Sequence, residues 1–250
     1  MVATVCNQTA KFDRALTNLC EKNNYFVSNR EPIYVVYNVP HLLTSTACCL
    51  FSNNICYEEG KEAKLFDIQR MYRKLEKLNE EDFDENTCSK MKVKQAAAIL
   101  SYSVSVAIEN SIMVKFSPTE SMQTAHFTNI MDSLFDSLNG CTINPSDGKK
   151  YDCALSHKSR HLNLWSKMLT QMKSWQIIDK TSRIDKTDNY LFLKGWQTTI
   201  NSIKSIWIRL RKEGLEHLNL KAFNLDPLDN VFDEVREHSL TVTHPTPRQF

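Results

Sequence analysis

The residues of this 250-residue chain able to do chemistry are scattered, and their spacing excludes more than it selects. No Gly-x-x-x-x-Gly-Lys-Ser/Thr loop and no Gly-x-Gly-x-x-Gly turn is present, so no phosphate cradle built from glycine backbone is encoded, and Gly60-Lys61 stands without the rest of a P-loop. Eight cysteines carry no Cys-x-x-Cys pair and no histidine pair at zinc-finger spacing, which predicts reduced, intracellular thiols and no metal centre. His41 follows Pro40 into an apolar stretch and reads as a packed or capping histidine more readily than a base. Asp229 lies just after Pro227, where an acid in a first helical turn complements the helix dipole. Arg209, Arg211 and Lys212 form the densest basic cluster and read as the solvated face of a helix.

The elements that must position these residues follow from hydrophobic period. Ala3–Cys6 and the run from Pro32 to Tyr37 are β-branched and aromatic and predict two strands, with an amphipathic helix over Phe12 to Cys20 between them. Pro40 opens a helix from His41 to Phe51. Leu65, Ile68, Met71, Tyr72, Leu75 and Leu78 recur at three- and four-residue spacing and predict a further helix, and the acidic stretch from Asn79 to Asn86 predicts a loop. A continuous buried helix is expected through Val93, Ala96, Ala97, Leu100, Val104, Ala107 and Ile108. Another runs through Phe127, Ile130, Met131, Leu134, Phe135 and Leu138 and is closed by Gly140 as a C-cap. Helices from Leu162 to Met172 and from Leu191 to Leu215 complete what reads as an all-α module.

Bulk composition is that of an ordinary globular chain, with 42% hydrophobic and 24% charged residues and a net charge of +2, so charge alone points to no partner. No apolar run of membrane-spanning length and no signal peptide stands out, so no membrane partner is expected.

Several segments, in order, resemble the P-element and THAP-type DNA transposases. Val5-Cys6-Asn7-Gln8 is similar to the family's Cys-Asp-Gln-Gly strand end, and Tyr37 to Leu43 to its Phe-Asp-Val-Pro-His-Leu-Leu box. Met91 to Ala97 with Leu100-Ser101, and Thr124 to Phe127 with Leu134 to Asn139, resemble two helices of the family's insertion. Gly195-Trp196 with Thr199-Ile200 and Trp207 resembles the helix that leaves it. Leu225 to Phe232 with Arg236 and Pro245 to Phe250 resembles the return segment, whose pattern is Gln-Asp-Pro-Leu-Glu-Asn-Phe-Phe and then a Pro-Thr and a Gln-Phe.

The resemblance implies an α+β, predominantly helical chain. In it a partial ribonuclease-H-like domain (1–57 and 221–250) is interrupted by an all-α GTP-binding insertion (58–220), and the whole is nuclear by family and truncated relative to it. Family members cut and join DNA with acids that hold two divalent metals about 3.5–4 Å apart. The first acid has no counterpart in this sequence, the second corresponds to Asn7, another family Asp to Asn38, and the third, a Glu, to Asp229, shorter by roughly 1.5 Å of reach. Asparagine offers Mg²⁺ only a neutral carbonyl, so a degenerate catalytic pair of Asn7 and Asp229 with doubtful Mg²⁺ binding is implied.

For GTP the implied set is Lys77, Lys92, Val93, Ser101, Phe135, Asp136, Asn139 and Asp226. In that mode Phe135 stacks on the base, Asp136 accepts from the guanine N1–H and amine, Asn139 bonds its edge and the lysines meet phosphates. Read without the family, Phe135 belongs to the apolar stripe and Asp136 and Asn139 to a solvated face. Three functions follow from the resemblance: a domesticated, non-cutting transposase relative that binds a guanine nucleotide, with DNA at transposon ends as a further partner; a fragment of an active metal-dependent transposase; and a helical module that represses transposition by pairing with another copy or with full-length transposase.

Overall fold

In the computed structural model, residues 3–21, 23–75, 91–145, 149–228 and 231 are described. Among the described residues, two three-stranded sheets, a two-stranded one and a set of helices share one buried cluster that runs from Cys20 to Leu220.

The first sheet has the order β1 (Ala3–Cys6), β3 (Glu31–Tyr37), β2 (Tyr25–Ser28), with α1 (Ala10–Cys20) crossing between β1 and the hairpin. β1 runs parallel to β3 with Cys6 opposite Tyr37, so both strands end side by side. Thr9 caps α1 by accepting from the Phe12 N–H at 3.4 Å. β2 was not expected. Its two-residue turn to β3 places Asn29 at φ 50° and Arg30 at φ 65°, the twisted hairpin geometry that Asn-Gly signals in sequence and Asn-Arg does not.

From β3 the chain enters α2 (Val39–Ser52), with Pro40 in the first turn, where its missing N–H costs nothing. α2 is buried on most of its circumference and is covered by α8 (Phe192–Lys212). The Trp196 indole N–H donates to the Thr46 hydroxyl at 3.0 Å, and the Tyr37 N–H donates to the Thr199 hydroxyl at 3.0 Å, which ties α8 to the end of β3. Gly195 permits this approach, because a Cβ there would sit 2.6 Å from Leu42 and 2.3 Å from the Gln8 amide oxygen.

The stretch expected to be all-α contains strands, and this corrects the sequence reading. β4 (Asn53–Tyr57) leaves the end of α2 directly and pairs with β5 (Lys61–Ala63) and β7 (Gln176–Asp179) in the order β5-β4-β7. β6 (Leu155–Ser156) pairs with β8 (His217–Leu218). At two to five residues each, these strands are too short to display a period of two.

α3 (Leu65–Leu75) and α7 (His161–Gln171) lie close to their expected positions. The helix expected to run unbroken from Val93 to Ile108 is two helices, α4 (Val93–Ile99) and α5 (Tyr102–Met113). Ser101 breaks it: its hydroxyl accepts from the Val104 N–H at 3.3 Å and so caps α5. By composition the 21 residues Val93–Met113 pass as a membrane span, but at 7 and 12 residues each half is too short to cross a bilayer as a helix.

α6 (Ser121–Asn139) is the central helix, burying Ala125, Phe127, Met131, Leu134 and Leu138. Its first turn is held by Asp67 of α3, which accepts from Ser121 at 2.7 Å and Thr124 at 2.6 Å. Gly140 follows α6, though not as a left-handed cap: its φ is −70° and ψ 140°. A Cβ there would meet the Cys153 backbone at 2.4 Å, so glycine is required by close approach.

Candidate functional site

Two polar clusters sit at the positions singled out by sequence, joined by one short segment. The first lies at the paired carboxyl ends of β1 and β3. The Asn38 N–H continues the ladder by donating to the Cys6 carbonyl at 2.9 Å, which brings the Asn38 and Asn7 side chains together. Asn38 is buried, at 4% exposure. Its side-chain oxygen accepts from the Leu225 N–H at 3.1 Å, leaving its amide nitrogen to donate to the Asn7 side-chain oxygen at 3.0 Å. The backbone donor thus fixes which way round the Asn38 amide stands.

Around this pair, Asp13 of α1 accepts from the Tyr37 hydroxyl at 2.9 Å and from the Gln8 amide at 3.2 Å. Burial, reinforced by Asp13, pushes the Tyr37 phenol well above its ordinary value. Burial pushes the His41 imidazole down, against an opposing hydrogen bond with the Gln8 backbone. A pair of carboxylates in these positions would repel at about 3 Å unless a cation or proton lay between them. The two amides satisfy one another instead, and no oxygen of Asn7 or Asn38 carries the charge that a hard divalent cation seeks. These residues do not fit Mg²⁺. Asp229 lies outside the described residues, and among the described residues no group of three His, Cys, Asp or Glu side chains is arranged to hold a metal.

The second cluster is at the end of α6. Asn224, buried at 7% exposure, donates from its amide nitrogen both to the Asn139 side-chain oxygen at 3.1 Å and to Asp226 at 2.9 Å. Its own oxygen accepts from the Asp226 N–H at 3.1 Å, an Asx turn that sets the segment's path. About one turn back from Asn139 on α6, Asp136 receives Lys149 on both carboxylate oxygens, at 3.1 and 2.9 Å. Burial first, and the neighbouring Asp132 and Asp152, raise the Asp136 carboxyl, with Lys149 opposing. Burial acts to lower the Lys149 ammonium, but the hydrogen bond and charge of Asp136 outweigh it and hold the group protonated. Phe135 is partly buried and packed against the core.

The structure therefore brings Asn139 and Asp226 together and sets Asp136 one turn from them. Lys92 and Val93 are exposed at the start of α4, and among the described residues no hydrogen bond or ion pair joins them to Asp136 or Asn139. The Ser101 hydroxyl is committed to the backbone, donating to the Ala98 carbonyl at 2.9 Å while it caps α5. Lys77 lies outside the described residues. Two participants were missed in sequence. Asn224 was signalled by the Asn-Leu-Asp-Pro turn pattern, whereas Lys149 had only a turn beside it to distinguish it from any surface lysine. Residues 224–226 touch both clusters, through Leu225 to Asn38 and through Asn224 to Asn139.

The family model described as TNP-like, GTP-binding insertion domain matches residues 41–151, a stretch that includes Lys92, Phe135, Asp136 and Asn139. The Transposable element P transposase of Drosophila melanogaster is 24% identical over 175 residues, covering 70% of this chain and 22% of the relative. Among solved structures, a chain of the Drosophila P element transposase strand transfer complex superposes with a TM-score of 0.82 at 20% identity, over 99% of this chain and 57% of that one. The chain thus spans well under two thirds of either relative, and the structural likeness speaks to fold.

Proposed function

The chain belongs to the P-element transposase family, and from that premise we propose that it binds a guanine nucleotide on α6 and associates with DNA without cutting it. The observation that carries the nucleotide reading is the convergence of Asn139 and Asp226 on Asn224 beside a partly buried Asp136. Asp136 is an acceptor suited to the N1–H and exocyclic amine of guanine. It stands among Asp132 and Asp152, so carboxylates outnumber the one ammonium drawn to them. Such an environment favours the donor-rich base edge over a phosphate, which leaves Lys92, and Lys77 beyond the described residues, as the phosphate partners. Phe135 offers a ring edge for the purine.

In this reading residues 1–57 and 221–250 form a partial ribonuclease-H-like unit around the insertion. Loss of cleavage is supported by the Asn7–Asn38 amide pair, which replaces the negative oxygens that metal-dependent strand transfer requires. The protein then works as a domesticated, nuclear relative of the transposases.

Titration with labelled GTP tests the first half. Saturable binding is expected, weakened at least tenfold, about 1.4 kcal/mol, by Asp136→Ala. Equal binding by parent and variant would sink the assignment of α6. A metal-dependent nicking assay tests the second half, and cleavage by the unaltered chain would refute it.

A further inference from the structure

A cavity at the end of α8 lies apart from both clusters, and none of the residues assigned to the nucleotide lines it. Its volume is about 520 Å³, within the range that accepts a small ligand, and it is lined by Trp207, Arg211 and Leu215 together with His157, Lys158 and His217. Local structure explains why these side chains meet. Gly214, at φ +94°, turns the chain off α8, and the Leu215 N–H closes back on the Leu210 carbonyl at 3.1 Å. That reversal delivers His217 opposite Ser156 in the β6–β8 pair, with His157 and Lys158 next along the chain. Trp207, at 2% exposure, is the buried member of the lining.

Arg211 stands near a helix C-terminus, where a cation commonly complements unpaired carbonyls. Here those carbonyls are already served: Leu210 accepts from the Glu213 and Leu215 N–H groups and Arg211 from the Gly214 N–H. Its neighbour Arg209 is bound to Glu31 at 2.6 Å and to Glu213 at 3.6 Å, whereas Arg211 and Lys158 have no carboxylate partner among the described residues. A cavity that holds an unpaired guanidinium, an unpaired ammonium and two imidazoles, against the single acid Glu216, is complementary to a dianionic oxyanion.

We propose that this cavity is a phosphate-binding site, taking a phosphate group in the fork of Arg211 with Lys158 as the second charge and His157 and His217 as further donors. The phosphate belongs either to a nucleic-acid backbone or to a free phosphate compound, and the site is independent of guanine-nucleotide binding on α6.

The test uses the whole chain with two probes, a fluorescent oligonucleotide of about 20 nucleotides read by anisotropy and inorganic pyrophosphate read by calorimetry. Arg211→Gln/Lys158→Gln is compared with Lys173→Gln/Lys194→Gln, two exposed lysines outside the cavity, both checked for unchanged melting. The cavity variant is expected to weaken its phosphate ligand at least tenfold relative to that control, with partial recovery in Arg211→Lys. Loss on the oligonucleotide, with the salt slope flattened by roughly 1.5 to 2, identifies a backbone phosphate. Loss confined to pyrophosphate, persisting in an Asp136→Ala background, identifies a free phosphate ligand. If neither probe is weakened beyond the control, the proposal is overturned.

Discussion

The strand-end cluster and the α6 cluster are built from similar side chains and are bridged by the same three residues, yet they have opposite chemical character. At the strand ends every described polar atom of Asn38 is answered from within: its nitrogen by Asn7, its oxygen by Leu225, its N–H by Cys6. At α6 the carboxylates of Asp132, Asp136 and Asp152 influence one lysine, and Asp136 is partly buried. A self-satisfied neutral network stabilises a fold and asks for no ligand. A cluster with more acceptors than donors is improved by a donor-rich guest. Under the proposed function, the strand end is a structural element without a metal, while the α6 cluster keeps the polarity that a guanine base would meet.

The comparison is most exposed at Asn38. Replacing it with Ala leaves the Leu225 N–H and the Asn7 carbonyl without their partner, in a site where Asn38 was 4% exposed. A cost of roughly 2–3 kcal/mol is expected, a fall in melting temperature of about 4–12 °C. Calorimetry on purified protein decides it, and a shift under about 2 °C would mean that the pair is not structural. Asn224→Ala should cost less, about 1–2 kcal/mol, because Asn139 and Asp226 are only partly buried and regain water. It should also weaken GTP several-fold. Intact GTP binding in a destabilised Asn224→Ala would show that Asn224 braces the fold and not the nucleotide face.

Much of this arrangement was legible in sequence, and the rest failed for identifiable reasons. Helices declared by long apolar periods, such as α6 and α8, lie where the period put them, and the strands β1 and β3 lie on the β-branched and aromatic runs. The hairpin strand β2 was hidden because Asn29-Arg30 carries no glycine, although both residues take positive φ. The strands β4 to β8 were hidden by brevity. At Ser101 the apolar period ran on across a residue whose hydroxyl caps a new helix. For the site, the positions of Asn7 and Asn38 were readable, but their mutual hydrogen bond, and the part played by Leu225 in orienting it, required a contact across most of the chain.

A weaker handle is pH. Burial lowers the His41 imidazole, so the unfolded chain takes up a proton at a higher pH than the folded one. The stability that follows from keeping His41 neutral is present above about pH 6.5 and is lost as pH falls through the folded value. His126 and His161 are lowered for the same first reason and add to the slope. Melting temperature should therefore decline between about pH 7 and pH 5, and His41→Gln should flatten part of that decline. An unchanged slope in the variant would place the titration at the other histidines and detach His41 from the strand-end network.

The smallest expected effect is also the sharpest test of the contrast. Asn7→Asp restores a charge at the strand end while keeping an oxygen where the Asn38 amide donates, and Asn7 is only partly buried. The new carboxylate accepts a charge-assisted hydrogen bond and keeps contact with solvent, so stability should change by no more than about 0.5 kcal/mol. The new carboxylate beside a committed amide, with Asp13 already engaged by Tyr37 and Gln8, is still a poor cage for Mg²⁺, which needs several hard oxygens in octahedral array. Melting with and without millimolar Mg²⁺ should coincide. If Mg²⁺ instead raised the melting temperature of Asn7→Asp by several degrees, the strand end would be a metal site one charge short of function, and its neutral pair could no longer be read as purely structural.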